Sequence, residues 1–196
     1  MSSYKIIPKT SYKRSTWKNG LGFTDEIAIY PADANLSQGN FLWRLSSAQI
    51  EKASPFSLFP NHDRILLVLK GAGLRLFHTI EEGSEDDVNE IPALQPYDFP
   101  GDLPSRCELL NGPITDFSIF LRRGEVEPDV QIMEVKSDEP LDWAPYGKWN
   151  FAFVLSGSLK TDAGILQEGD TLSGEGAIQL HATTPITRLL LISLSI

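Results

Sequence analysis

The sequence predicts an all-β protein built of two barrel-like halves. Three observations carry that expectation. No stretch holds a 3.6-residue apolar period beyond two turns, so long amphipathic helices are not indicated. Short β-type runs recur instead, bounded by turn residues drawn from 13 prolines and 15 glycines scattered through all 196 residues. The same strand–glycine–strand pattern also appears twice, at Gly71 and again 86 residues later at Gly157.

Taken in order, the first runs are Glu26–Tyr30 and Phe41–Ile50. Within the second, Leu42, Arg44 and Ser46 share one face of the strand, and Trp43 and Leu45 take the other. Ile65–Lys70 is almost wholly apolar, as a buried strand requires, and Leu74–His78 follows after Gly71-Ala72-Gly73, read as a hairpin turn. Arg106–Leu110 and Phe117–Arg122 flank Asn111-Gly112, the dipeptide favoured in tight hairpins. In the last of these, Phe117, Ile119 and Leu121 face one way, Ser118 and Phe120 the other. Phe151–Leu155, Ser158–Thr161 and Leu189–Leu194 complete the clear strands.

Leu67-Val68-Leu69-Lys70-Gly71 matches Phe153-Val154-Leu155-Ser156-Gly157, and each is followed by a second strand. Gln95-Pro96-Tyr97-Asp98 corresponds in the same way to Gln167-Glu168-Gly169-Asp170. This repetition predicts tandem copies of one barrel, residues 1–125 and 126–196, packed as one compact unit.

Composition narrows the function. The formal charge of −9 argues against a general nucleic-acid binder, which needs clustered Lys and Arg. The longest apolar runs, Ile65–Leu69 and Phe151–Leu155, are far too short for a membrane helix. The basic opening MSSYKIIPKTSYKRS has no apolar core of signal-peptide length, and the single cysteine, Cys107, fits a reducing cytoplasm. Six acids with no base crowd residues 81–90: Glu81, Glu82, Glu85, Asp86, Asp87 and Glu90. The segment reads as a solvated, dispensable excursion, with recruitment of a basic partner as its alternative use.

The V-L-x-G strand, its following strand and the later G-D turn resemble the cupin barrel, and two copies resemble a bicupin. Trp17–Ala28 (WKNGLGFTDEIA) resembles the N-terminal signature of the HutD/Ves family. So do Phe41–Ala48 (FLWRLSSA), Pro55–Arg64 (PFSLFPNHDR) and Phe99-Pro100-Gly101-Asp102 leading to Asn111–Phe117. Leu21, Asn61 and Ser118 depart from the family pattern, which has glycine, glycine and asparagine there. The resemblance covers the first 125 residues in detail and the remainder as a barrel only. On the HutD side it implies a link to histidine utilisation, in which a member senses or sequesters a carboxylate such as urocanate or a formylated glutamate derivative. On the Ves side it implies a stress-response role exercised through protein interaction.

Metal-binding cupins use an H-x-H pair, a Glu seven residues before the V-L-x-G glycine and a later His. Arg64 and Asn150 occupy the Glu position in the two halves, and Ser57–Pro60 holds no histidine where the pair belongs. Neither a metal nor any other cofactor is expected. The three histidines, His62, His78 and His181, lack ligand spacing; His62 and His181 read as surface residues, and Cys107 as core packing. No G-x-S-x-G elbow or phosphate loop is present, so no catalytic residue is assigned. Binding without catalysis is the expectation, with a metal-free isomerase or epimerase as the alternative that would need a cavity histidine.

The candidate ligand site is the polar and aromatic set of the first half: Arg64, Arg44, Thr24, Asn19, Glu26 and Asp116, walled by Trp17, Trp43, Phe56 and Phe59. An arginine inside a barrel must meet a carboxylate, either a ligand's or, in the alternative reading, that of Glu26 or Asp116 in a purely structural internal pair. The expected partner is therefore a small carboxylate anion, with no nucleic acid and no membrane; a homodimer is left open.

Overall fold

The computed structural model describes residues 3–17, 20 and 22–196. Among these described residues, nineteen strands and two single-turn 3₁₀ helices make up the regular structure. The chain divides into two units, Lys13–Glu125 and a second that joins the first twelve residues to Val126–Ile196.

β1 (Ser3–Ile7) belongs to the second unit, where it pairs antiparallel with β17 (Thr171–Glu175). The expected division at residue 125 therefore shifts for the N-terminal segment: Tyr4 and Ile6 pack against the core of the second barrel. Alternation over only five residues, SYKII, cannot reveal a partner so distant in sequence.

The first barrel comprises β2 (Lys13–Thr16), β3 (Gly22–Tyr30), β4 (Trp43–Ile50), β5 (Ser54–Pro55), β6 (His62–Lys70), β7 (Leu74–His78), β8 (Asp87–Ile91), β9 (Tyr97–Pro100), β10 (Ser105–Leu109) and β11 (Ile114–Arg122). Six of these form a sheet in the order β2-β3-β4-β11-β6-β9, and four form β5-β10-β7-β8. The second barrel adds β12 (Glu127–Lys136), β13 (Leu141–Trp143), β14 (Trp149–Ser156), β15 (Ser158–Thr161), β16 (Gly164–Gln167), β18 (Ile178–Ala182) and β19 (Ile186–Ser195) to β1 and β17. Its sheets run β1-β17-β14-β19-β12 and β13-β18-β15-β16. Replacing β4-β11-β6-β9 by β12-β19-β14-β17, and β5-β10-β7-β8 by β13-β18-β15-β16, converts one barrel's order into the other's. The repeated motif thus marks a repeated topology.

Two turns do other work than the sequence suggests. β6 and β7 lie in different sheets, as do β14 and β15, so the glycine after V-L-x is a corner rather than a hairpin. Gly71 (φ +103°) and Gly157 (φ +85°) hold these corners in the left-handed region, and an added Cβ would come within 2.8 Å of Ile114 and 2.6 Å of Thr184 respectively. Asn111-Gly112 likewise carries the chain from β10 in one sheet to β11 in the other instead of closing a hairpin. The acidic stretch is also only partly an excursion. Its second half is β8, paired with β7 along five positions, and Ile91 at its end is buried in the core. Ion pairs Arg75–Glu90 and Arg106–Asp86 explain how so acidic a strand is tolerated at a sheet edge.

The core of the first barrel gathers around Ile50, Leu66, Val68, Leu74, Leu76, Ile91 and Ile114. Among the described residues, no helix is long and apolar enough to cross a membrane.

Candidate functional site

The polar end of the first barrel follows from strand register. In an antiparallel sheet, residues directly opposite share a face, and every second residue returns to it. Phe120 on β11 stands opposite Arg44 on β4 and Arg64 on β6. Two residues along, Ser118 stands between Ser46 and Leu66; two further, Asp116 stands between Ala48 and Val68. β3 extends the last two rows with Glu26 and Thr24, and a bulge at Ile27 shifts its register beside Arg44. Three cross-strand rows therefore collect two arginines, two carboxylates and two serines on one face.

Arg44, Arg64, Asp116, Ser46 and Ser118 line a cavity of about 690 Å³, edged by the exposed Ser15, Thr16 and Ser57. That size suits a small metabolite. Arg64 is buried; its Nε and Nη2 donate to Ser118 Oγ at 3.1 and 2.8 Å, and Nη2 reaches Asp116 Oδ2 at a longer 3.4 Å. The guanidinium carbon lies 4.2 Å from the ring centre of Phe56 and 5.0 Å from that of Phe120, within reach of a cation–π attraction to each. Arg44 donates from Nε to Glu26 at 2.8 Å and from Nη1 to Ser46 Oγ at 3.1 Å. Trp17 Nε1 donates to Thr24 Oγ1 at 2.8 Å.

Burial dominates the electrostatics. It pushes Arg64 down to about 10, against the pull of Asp116 and with the help of the neighbouring Arg44 charge. It raises the Asp116 carboxyl to about 6, although Arg64 and the Ala48 N–H bond oppose the shift. Asp116 Oδ1 accepts that amide at 2.9 Å, and Oδ2 has only the long contact to Arg64.

Of the residues singled out from the sequence, Arg64, Arg44, Thr24, Asp116, Trp17, Phe56 and Phe59 line this cavity. Glu26 stands behind it as the partner of Arg44. Trp43 does not: it lies on the opposite strand face and stacks on Tyr30, with ring centres 6.0 Å apart. Asn19 lies outside the described residues. Ser46, Ser118 and Phe120 were missed, although alternation from Arg44 and Asp116 places all three on the same face. Ser118 is the firmest partner of Arg64, accepting from both Nε and Nη2.

His62 is buried rather than a surface residue. Its Nδ1 and Nε2 lie 2.8 and 2.9 Å from the carbonyl oxygens of Pro60 and Phe41. His78 is buried as well, bonded to Ser105 and Tyr97. Cys107 is in the core, where burial raises its thiol. No histidine lines the cavity, and among the described residues no group of three His, Cys, Asp or Glu is placed to hold a metal ion.

Two barrels of one strand order, one of them hollow and lined by charge, define a bicupin. Vicilin from Capsicum annuum and a mutant of Bacillus subtilis oxalate decarboxylase superpose with TM-scores of 0.70 and 0.66 at 9% and 8% identity, sharing the fold alone. Within that class the chain belongs to the HutD family, whose match spans residues 9–190. HutD from Pseudomonas fluorescens SBW25 covers 98% of each chain with a TM-score of 0.80 and 28% identity. An uncharacterised 21.2 kDa protein from the hutC 3′ region of Pseudomonas putida is 38% identical over 123 residues, 61% of this chain. Protein Ves of Cronobacter sakazakii is 30% identical over 119 residues, 60% of this chain. The matched segments span 59% and 60% of those two relatives' own lengths.

Proposed function

We propose that the first barrel binds a small carboxylate without a metal, in a regulatory or sequestering role tied to histidine utilisation. One observation carries the reading: two guanidiniums line one cavity, and each keeps a terminal nitrogen, Arg44 Nη2 and Arg64 Nη1, with no hydrogen-bond acceptor among the described residues. Guanidinium N–H groups match carboxylate oxygens in charge and geometry, and the aromatic walls suit the apolar part of a metabolite. The hut-region setting of the Pseudomonas putida relative supports urocanate or a formylated glutamate as the ligand class.

The test is calorimetry with urocanate, N-formylglutamate and unrelated carboxylates on the wild type and on Arg64→Met. Losing a buried charged partner costs about 2–5 kcal/mol, or roughly 30- to several thousand-fold in affinity. Arg64→Met is expected to abolish measurable binding, and Arg64→Lys to weaken it at least about tenfold. Unchanged affinity in Arg64→Met would place the anion elsewhere.

A further inference from the structure

We propose that Asp116 makes carboxylate binding proton-linked: it enters the complex as the neutral acid, taking up one proton as the anion settles on Arg64. The inference rests on the anion reading and adds its regulation by pH.

Asp116 and Arg64 share the cavity wall, so an anion on Arg64 sits beside the Asp116 carboxyl. Two carboxylates side by side, one of them buried, oppose double ionisation; one of the pair holds a proton. Two features select Asp116 as that one. It is 1% exposed, whereas the ligand arrives from water fully ionised. Oδ2 lacks a short hydrogen bond, since charge-assisted N–H···O contacts close to about 2.7–2.9 Å and this one is 3.4 Å. A proton on Oδ2 would therefore break no strong contact and would give the ligand a donor.

Charge balance points the same way. The groups facing Asp116 are Arg64 from β6, Arg44 from β4 with its partner Glu26 on β3, and the Cys107 thiol from β10. The thiol is neutral, being shifted upward by burial, so the two arginines balance the two carboxylates. An added monoanion leaves the set at −1, and one proton restores it. The raised proton affinity of Asp116 in the free site means that the cost of this uptake near neutrality is small.

The linkage has a definite sign: affinity is highest below about pH 6 and falls with rising pH. With one proton taken up per anion, the fall approaches tenfold per pH unit, or roughly 50-fold between pH 6 and 8. Formate, acetate and N-formylglutamate serve as probes, because their carboxyls stay ionised across that range. Titration calorimetry at pH 7.5 in buffers of different ionisation enthalpy should report about one proton absorbed per probe bound. In Asp116→Asn, whose amide is neutral and still a donor, proton uptake should vanish and affinity should hold within about twofold from pH 6 to 8. A wild type that binds with flat affinity and no proton uptake would overturn the linkage and leave the anion site standing. The same proton uptake persisting in Asp116→Asn would overturn the assignment to Asp116. Failure of every probe to bind at any pH would overturn both.

Discussion

The two barrels place different chemistry on matching strands. The row Arg44–Phe120–Arg64 of the first barrel corresponds by register to Asp129–Ser193–Asn150 of the second. Ser46–Ser118–Leu66 corresponds to Gln131–Leu191–Ala152, and Ala48–Asp116–Val68 to Met133–Leu189–Val154. The two groups that hold Arg64 in place, Ser118 and Asp116, thus become leucines, both part of the second barrel's core. Asn150 turns its amide to the backbone, donating to Gly147 and Gly174 carbonyls. Tyr4, Ile6 and Trp143 pack against that core as well. One strand order therefore supports a filled interior or a charged cavity, and a few side chains on the central strands decide which. The filled version gains hydrophobic stabilisation, and the charged version bears the desolvation of its ions.

The harshest test of that contrast is Asn150→Arg, which puts the first barrel's cation where its holders are leucines. An unpaired buried charge costs about 3–5 kcal/mol, enough to remove much of a domain's stability. Chemical denaturation should show a collapse of the midpoint; a well-folded variant would mean that the second interior is less closed than its packing indicates. The converse swap, Arg64→Asn with Asp116→Leu and Ser118→Leu, gives the first barrel the second one's set. It should abolish carboxylate binding and raise stability by about 1–4 kcal/mol, the usual range when a buried ionic cluster becomes apolar. A lower melting temperature would show that the charges also stabilise the fold.

A smaller effect separates the barrels by pH. Asp116, raised to about 6 in the folded protein, binds its proton more tightly there than in the unfolded chain. Its stabilising contribution is complete at acid pH and is lost as pH rises from about 4 through 6, at up to about 1.4 kcal/mol per unit. The difference between wild-type and Asp116→Asn unfolding curves should carry that slope; a flat difference would refute the shift. The smallest effect belongs to the surface. Glu90→Ala, which removes the exposed partner of Arg75, should change stability by less than about 1 kcal/mol, whereas Ile91→Ala next to it should cost about 2–4 kcal/mol.

Central strands were legible because alternation and the V-L-x-G corner are strong local signals. β8 was not, since DVNEI reads as a continuation of an acidic loop until β7 is seen beside it. β12 was missed for a related reason: exposed acids interrupt its apolar residues along a sheet edge. Arg44 and Arg64 could be placed in a barrel interior from the sequence. Glu26 and Asp116 were legible as their carboxylate partners; Ser118 against Arg64 was not, because it depends on register. His62 shows the same limit: a Pro-Asn-His-Asp turn looks solvent-facing, and only the fold reveals two carbonyls around the ring.

The pairing of β1 with β17 has a consequence for how the chain is assembled. During synthesis β1 emerges before the whole of Lys13–Glu125, and its partner Thr171–Glu175 only after it. All of Lys13–Glu125 is available for pairing long before then. Closing so long a loop is entropically slow, so the second barrel has to wait for a contact between segments far apart in the chain. Through that interval β1 is an unsatisfied edge, open to the wrong neighbour. Its exposed Ser3, Lys5 and Lys9 and the proline at position 8 are the kind of residues that make such an edge a poor template for aggregation.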